Sequence, residues 1–533
     1  MTSAELAGEK GPAWSIGQDA ARSVDHPAPG NFESWVVRNS AWIALCIIIV
    51  GFAFRLYYCG ACYLNPDEAQ HFNAARPNTW LGAYHESIRL AHPPLFVLVL
   101  HAFLILGRSE MILRLPSLLA GTAALWITFI WLRRSLGAIP ALAGLLFMAV
   151  LPAAISASSQ VRQYGLQLLF ICSALYATER ALAEQSNRWA VIQGLCLLGA
   201  LLTHYTTPVV IASIGIYNLL RCIIDRAPRR LWFIFAAAQV ILALILLWLY
   251  VTDLSKSSLS HGAGFSYLDT LFARPGEKAL AFSERALVAT FAYLVNPKRA
   301  YLSMLLLMAG ITALFMGRTK APRLMGLLII FPFIIGLITG IVRALPFAGS
   351  RHQTYLLPFL AAGFAAAFTW IPRRFAALSL LPGFALALFF IARNPPDNNP
   401  RSMPVRDMTA TINYINETIP HSAPLFVDEQ TRFILGYYLG RNDSRLDAPR
   451  AIWNNPTVGD RRLVSSTDWL FNSNDAIAHA NRLADGIGLP AGNPLWIVSA
   501  AWLDIPLDHR LHTGTPFHST DFGANTIIEI AHE

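Results

Sequence analysis

From residue 41 to residue 392 the chain is one apolar run after another, and this pattern limits the fold more than anything else in the sequence. A bilayer crossing needs roughly twenty apolar residues. Eleven stretches approach that length: 41–59, 112–132, 138–156, 163–181, 189–203, 207–221, 231–252, 300–316, 324–342, 353–370 and 375–392. In hydrocarbon every backbone N–H and C=O needs an internal partner, so runs of this length are read as helices. Only 14% of the 533 residues are charged, whereas a soluble domain carries about a quarter. The expected fold is a polytopic α-helical membrane protein of about eleven transmembrane helices plus interfacial helices.

The loops set the orientation. Lys and Arg collect in short cytoplasmic loops. With a cytoplasmic N-terminus, the loops on one side hold Arg133-Arg134, Arg180 and Arg188, Arg221 to Arg230, Arg318 to Arg323, and Arg373-Arg374. This holds only if 93–107, which is short and opens on Pro93-Pro94, does not cross; it is read as interfacial or re-entrant. The net charge of +9 is then topological. No basic stripe with interleaved aromatics points to nucleic acid. Residues 1–40 are polar and lack a signal-peptide pattern, so they read as a disordered cytoplasmic tail ahead of a retained anchor. The expected location is the inner or plasma membrane, multi-pass, with residues 41–392 embedded.

Residues 393–533 have the composition of a soluble domain, extracytoplasmic (periplasmic) in this topology. A Pro/Asn-rich linker, 394–402, precedes helical spacing at 405–418 and 430–439 and short strands at 425–427, 495–498 and 526–530. A small α/β domain is expected. It has no nucleotide loop, no GxSxG and no metal spacing; covering a site, binding an acceptor and a structural role all stay open. Four of the six cysteines lie in apolar runs, and Cys59 and Cys62 form a CxxC without a second pair.

The predicted outside face collects Asp67, Glu68, His71, His85, Glu86, His92, Arg162, Tyr164, His204, Arg343, Arg351 and His352. Ionisable groups at hydrocarbon depth need a reason. A carboxylate can take the proton of an attacking hydroxyl. Arginines can neutralise a departing phosphate with paired donors. The long outside loop 253–299, with its apolar piece 286–294, reads as a lid or as a plain connection.

These residues carry a resemblance. Asn65-Pro66-Asp67-Glu68 after the first span looks like the acidic motif of GT-C glycosyltransferases. His92-Pro93-Pro94-Leu95, Leu106-Gly107, Arg114-Leu115-Pro116-Ser117 and Arg133-Arg134 resemble the protein-mannosyltransferase-like and aminoarabinose-transferase-like group, glycosyltransferase family 39 type. Ser159-Gln160-Val161-Arg162-Gln163-Tyr164, Thr203-His204-Tyr205 and Arg351-His352-Gln353-Thr354-Tyr355 continue the pattern, which covers about residues 40–370. The resemblance implies transfer of a sugar from a polyprenyl-phosphate donor to a lipid, glycan or protein acceptor. It implies Asp67 as the catalytic acid and Arg162, Tyr164 and Arg351 near the donor phosphate; Glu68 is a second catalytic candidate, and His92, His204 and Tyr355 are further donor-binding candidates. Gln160 departs from the group, where a glutamate often stands, and Ala91 replaces a Glu carried by some relatives. No motif requires a cofactor. A divalent ion stays open, although His85, Glu86 and His92 lack a ligand spacing. A lipid-linked sugar transporter is the competing class, but it calls for inverted repeats that the sequence does not show; a non-catalytic scaffold is the other.

Overall fold

The computed structural model describes residues 31–532 except 91, 257–267, 318, 372–376, 379, 392–394, 398, 466–475, 501–505 and 512–515. The tail 1–30, Arg318, Arg373 and Arg374 therefore lie outside the described residues. Residues 31–38, expected within the disordered tail, form helix α1 (Asn31–Arg38).

Each of the eleven apolar stretches contains a helix among its described residues. α2 (Ser40–Ala61) is followed by two short helices, the buried α3 (Pro66–Ala75) and the partly exposed α4 (Trp80–Arg89). α5 (Leu95–Phe103) runs into a 3-10 turn, Leu104–Leu106, and is a short apolar helix rather than a span. Then come α6 (Glu110–Leu136), α7 (Ala138–Val150), α8 (Pro152–Ser158), α9 (Tyr164–Ala183), α10 (Asn187–Leu201), α11 (Thr207–Ile224) and α12 (Arg229–Thr252). α13 (Ala279–Leu294), α14 (Ala300–Phe315), α15 (Lys320–Ile341), α16 (Leu357–Ala367) and α17 (Leu380–Ile391) complete the bundle. Seven helices among the described residues are long and apolar enough to cross a membrane, and the bent pair α7–α8 makes an eighth. α10, α16 and α17 fill the three remaining expected stretches at shorter length.

The ends of the bundle differ in chemistry. At one end Arg134 and Arg180 both reach Glu184, and Arg230 bonds the Gln185 carbonyl, so the basic loops lie together. The other end carries α3, the turn before α9, the α10–α11 junction and a 3-10 helix, Arg351–Leu356.

α7 and α8 meet at 64° around Leu151. Pro152 has no N–H, so the Met148 carbonyl loses its partner one turn on. Arg55, deep in α2, replaces it: Nη2 donates to Met148 O at 3.1 Å and Nη1 to Ala149 O at 2.7 Å. The bend directs α8 toward the site end.

The soluble domain opens with α18 (Val405–Glu417), β1 (Leu425–Val427) and α19 (Glu429–Tyr438), followed by α20 (Ala451–Asn454). β2 (Thr457–Val458), β3 (Arg461–Ser465), α21 (Ala476–Gly486), β4 (Pro494–Ser499), β5 (His518–Phe522) and β6 (Asn525–Ala531) follow. The six strands are ordered β2-β3-β1-β4-β6-β5, parallel through β3, β1 and β4 and antiparallel at both flanks. The sequence reading passed over β2, β3, β5 and α21, although α21 carries its buried Ala476, Ile477, Ala480 and Ala484 at helical spacing. The domain sits on α3. Tyr63 Oη donates to Asn525, Leu64 N to Tyr438 Oη, and Asn73 to the Phe433 carbonyl.

Candidate active site

α3 begins on a capping box. Asn65 accepts from Glu68 N at 2.9 Å, and Glu68 Oε2 accepts from Asn65 N at 3.1 Å. Pro66 occupies the first helical position, where its missing N–H matters least. This start points two neighbouring acids in different directions.

Asp67 meets two arginines from distant loops. Its Oδ2 lies 2.6 Å from Arg162 Nη1 and 2.6 Å from Arg351 Nη2. Burial pushes the Asp67 carboxyl up, but Arg162 and then Arg351 and His71 outweigh it and hold the group down at about 2.

Glu68 goes the other way and is fully buried. Arg114 grips it twice, Nε on Oε1 at 2.9 Å and Nη2 on Oε2 at 3.0 Å, and Val161 N donates to Oε1 at 2.8 Å. The same guanidinium bonds the carbonyls of Cys59, Cys62 and Tyr63. Both Glu68 oxygens are thus spent on the scaffold. Glu68, expected as a second catalytic acid, ties α2, α3 and α6 to the loop carrying Arg162 through these bonds. Ser117 Oγ holds that loop from behind by donating to the Arg162 carbonyl at 2.7 Å.

Histidines form a row beside the ion triad. Ring centroids are 5.5 Å apart for His71 and His92, 5.9 Å for His92 and His204, and 5.7 Å for His204 and His352. Tyr164 closes on His204 at 5.2 Å, and its hydroxyl accepts from Arg162 Nη2 at 3.4 Å. His71 Nδ1–H donates to the Asp67 carbonyl at 2.7 Å. His204 Nδ1 accepts from Thr206 N at 3.1 Å, which places the proton of the neutral ring on Nε2. Burial, then the Arg162 charge, lowers His71 and His204 to about 3. His92 and His352 are lowered for the same first reason. The row is neutral at pH 7. Two buried donors in this cluster, Arg162 Nε and His204 Nε2, find no hydrogen-bond acceptor among the described residues.

The structure brings Asp67, His92, Arg162, Tyr164, His204 and Arg351 together. Tyr355 is not with them: it is buried in the apolar core, its hydroxyl beside Gly336. Glu86 is also elsewhere, on Arg89 and the Arg450 amide. The histidines are strung out beside two guanidinium groups, a poor fit to a shared cation. Among the described residues the ligand-spaced trio is Asp508, His509 and Asp521, on the soluble domain. Sequence reasoning passed over Arg55, Tyr293 and Asp397. A lone Arg inside an apolar run was the available signal for the first, and no signal marked the other two.

Residues 91–251 match the family model of dolichyl-phosphate-mannose-protein mannosyltransferases. No curated protein matches the chain in sequence. Among solved structures, ArnT from Cupriavidus metallidurans in the apo state aligns over 92% of this chain and 98% of its own, with 14% identity and a TM-score of 0.53. The same protein bound to undecaprenyl phosphate aligns over the same shares, with 15% identity and a TM-score of 0.54.

Proposed function

We propose that this chain, which has the fold of the GT-C glycosyltransferases, moves a sugar from a polyprenyl-phosphate donor to an acceptor at the extracytoplasmic face. The observation that carries the reading is the Asp67 carboxylate oxygen shared by Arg162 and Arg351. One carboxylate and two guanidinium groups leave a surplus positive charge, and Arg162 Nε and His204 Nε2 add donors with no acceptor of their own. A phosphate supplies what this group of donors lacks. The mannosyltransferase family model and the undecaprenyl phosphate bound by ArnT support that donor class.

In the proposed reaction the acceptor oxygen or nitrogen attacks the anomeric carbon, the bond from that carbon to the phosphate oxygen breaks, and the acceptor proton passes to Asp67. The charge that builds on the leaving phosphate is met by Arg162 and Arg351. Paired to both cations, Asp67 at about 2 is a weak base. A phosphate that draws the guanidinium groups toward itself removes the cause of that depression, so donor binding activates the base.

The test is transfer from labelled undecaprenyl-phosphate sugars by the full chain in proteoliposomes, wild type against Asp67→Asn. General-base loss lowers turnover by about 100-fold or more. Bare undecaprenyl phosphate should bind the variant at least as tightly as the wild type, because the arginines are released. Equal turnover in the two proteins removes Asp67 as the base; a wild type that binds no undecaprenyl phosphate removes the donor class.

A further inference from the structure

The reaction above employs one carboxylate, and the structure holds a second close by. Asp397 belongs to the segment between α17 and the soluble domain and is half-buried. Its Oδ2 accepts from Tyr293 Oη at 2.5 Å and from Ser156 Oγ at 3.5 Å. Gln160 Nε2 donates to the same Ser156 hydroxyl at 2.9 Å, two residues ahead of Arg162. Tyr293 ends α13, and α13 packs against both α8 and the 3-10 helix that begins with Arg351. Arg351 and Tyr164 both act electrostatically on Tyr293. Asp397 is therefore fastened to the wall that carries the phosphate-binding arginines. It arrives from a part of the chain nearly 330 residues beyond Asp67.

The fastening uses one oxygen. Oδ1 takes no hydrogen bond from any described residue. A carboxylate repels a phosphate, so this oxygen suits the uncharged, hydroxyl-bearing end of a donor rather than its phosphate. Building on the donor class proposed above, we propose that Asp397 binds the transferred sugar, its Oδ1 accepting sugar hydroxyls. The phosphate is then read by arginines from the membrane bundle and the sugar by Asp397.

The experiment uses the full chain in nanodiscs, with bare undecaprenyl phosphate and with the undecaprenyl-phosphate monosaccharide that the wild type turns over fastest. Asp397→Asn keeps an acceptor for Tyr293 but removes the charge. Losing charged hydrogen bonds to the sugar should raise KM for the sugar-bearing lipid about tenfold. The Kd for bare undecaprenyl phosphate should stay within about twofold of wild type. Tyr293→Phe, which leaves the carboxylate in place but loosely held, should shift KM the same way by less, and covers the case of a misfolded Asp397 variant. Unchanged KM in both variants overturns the assignment. So does an equal loss of affinity for the bare and the sugar-bearing lipid, which places Asp397 on the phosphate or on the fold. Failure of the wild type to bind undecaprenyl phosphate instead overturns the donor class itself, a separate result.

Discussion

A histidine sealed beside a guanidinium group is an acid-sensitive element of the fold. His71 and His204 are held at about 3, first by burial and then by Arg162. In the unfolded chain each titrates near 6.5. Between those values the unfolded state binds protons that the folded state refuses, so stability is fully present above about pH 6.5 and falls as pH drops through the window. Asp67, held at about 2 against an unfolded value near 3.8, loses its contribution only further down, between roughly pH 4 and pH 2. The expected outcome is a thermal midpoint in detergent that is flat above about pH 6.5 and declines toward pH 5. His204→Gln should show a shallower decline than wild type, because the difference between the two isolates that ring from every other titrating group. Parallel curves for the two proteins from pH 7 to pH 5 would falsify this account of His204. The cluster was half legible in the sequence. Loop charge placed His71, His92, His204 and His352 on one side, but ring-to-ring packing of residues as far apart along the chain as His204 and His352 has no local signature.

Helices were the most legible layer, because a stretch of about twenty apolar residues admits few other structures in a membrane. The joins between them were less so. Pro152 is visible in the sequence, yet the carbonyls it strands are capped by Arg55, whose distance along the chain from Met148 is 93 residues. Asp67 and Glu68 posed the same difficulty. Two adjacent carboxylates in a first helical turn look alike in sequence, and Arg114, 46 residues on, is what turns Glu68 away from Asp67 and its arginines. Strands β2 and β5 were missed because two to five residues at a sheet edge carry no clear periodicity. At this scale Arg55 yields a prediction. Arg55→Leu removes the cap, leaves the Met148 and Ala149 carbonyls unbonded in hydrocarbon, and should destabilise the fold by about 2 kcal/mol or more. Arg55→Lys keeps the charge but cannot span both carbonyls with a planar fork, so it should fall between the two. Detergent thermal scans of the three proteins measure the order. Leucine matching wild type would mean that the α7–α8 bend needs no cap.

Across the whole molecule, the soluble domain is the rear support of the helix that carries Asp67. Arg76, at the end of α3, is buried. It bonds Asp447 through Nε at 3.0 Å, and through Nη2 the carbonyls of Gly440 at 3.0 Å and Asp443 at 2.9 Å. Arg108, just ahead of α6, grips the same Asp447 with both Nη atoms, and Tyr438 reaches Glu110 at 2.5 Å. One aspartate of the soluble domain thus joins two segments of the membrane bundle. Asp447→Asn leaves two guanidinium groups facing a neutral amide, and removing one member of a buried pair costs about 3 kcal/mol or more. The domain should then lift from α3 more often, exposing the linker around residues 395–402. The expected signature is faster proteolytic cleavage in that linker, together with a fall in kcat, since any tilt of α3 displaces the proposed base Asp67 relative to Arg162 and small misplacements of reacting groups are expensive. An exposed pair serves as the control: His421 and Asp460 are well exposed, so His421→Ala, which leaves the Asp460–Arg461 pair intact, should alter neither cleavage nor turnover. If Asp447→Asn is cleaved faster yet transfers sugar at the wild-type rate, α3 keeps its place without the soluble domain, and the geometry of Asp67 is set by the membrane bundle alone.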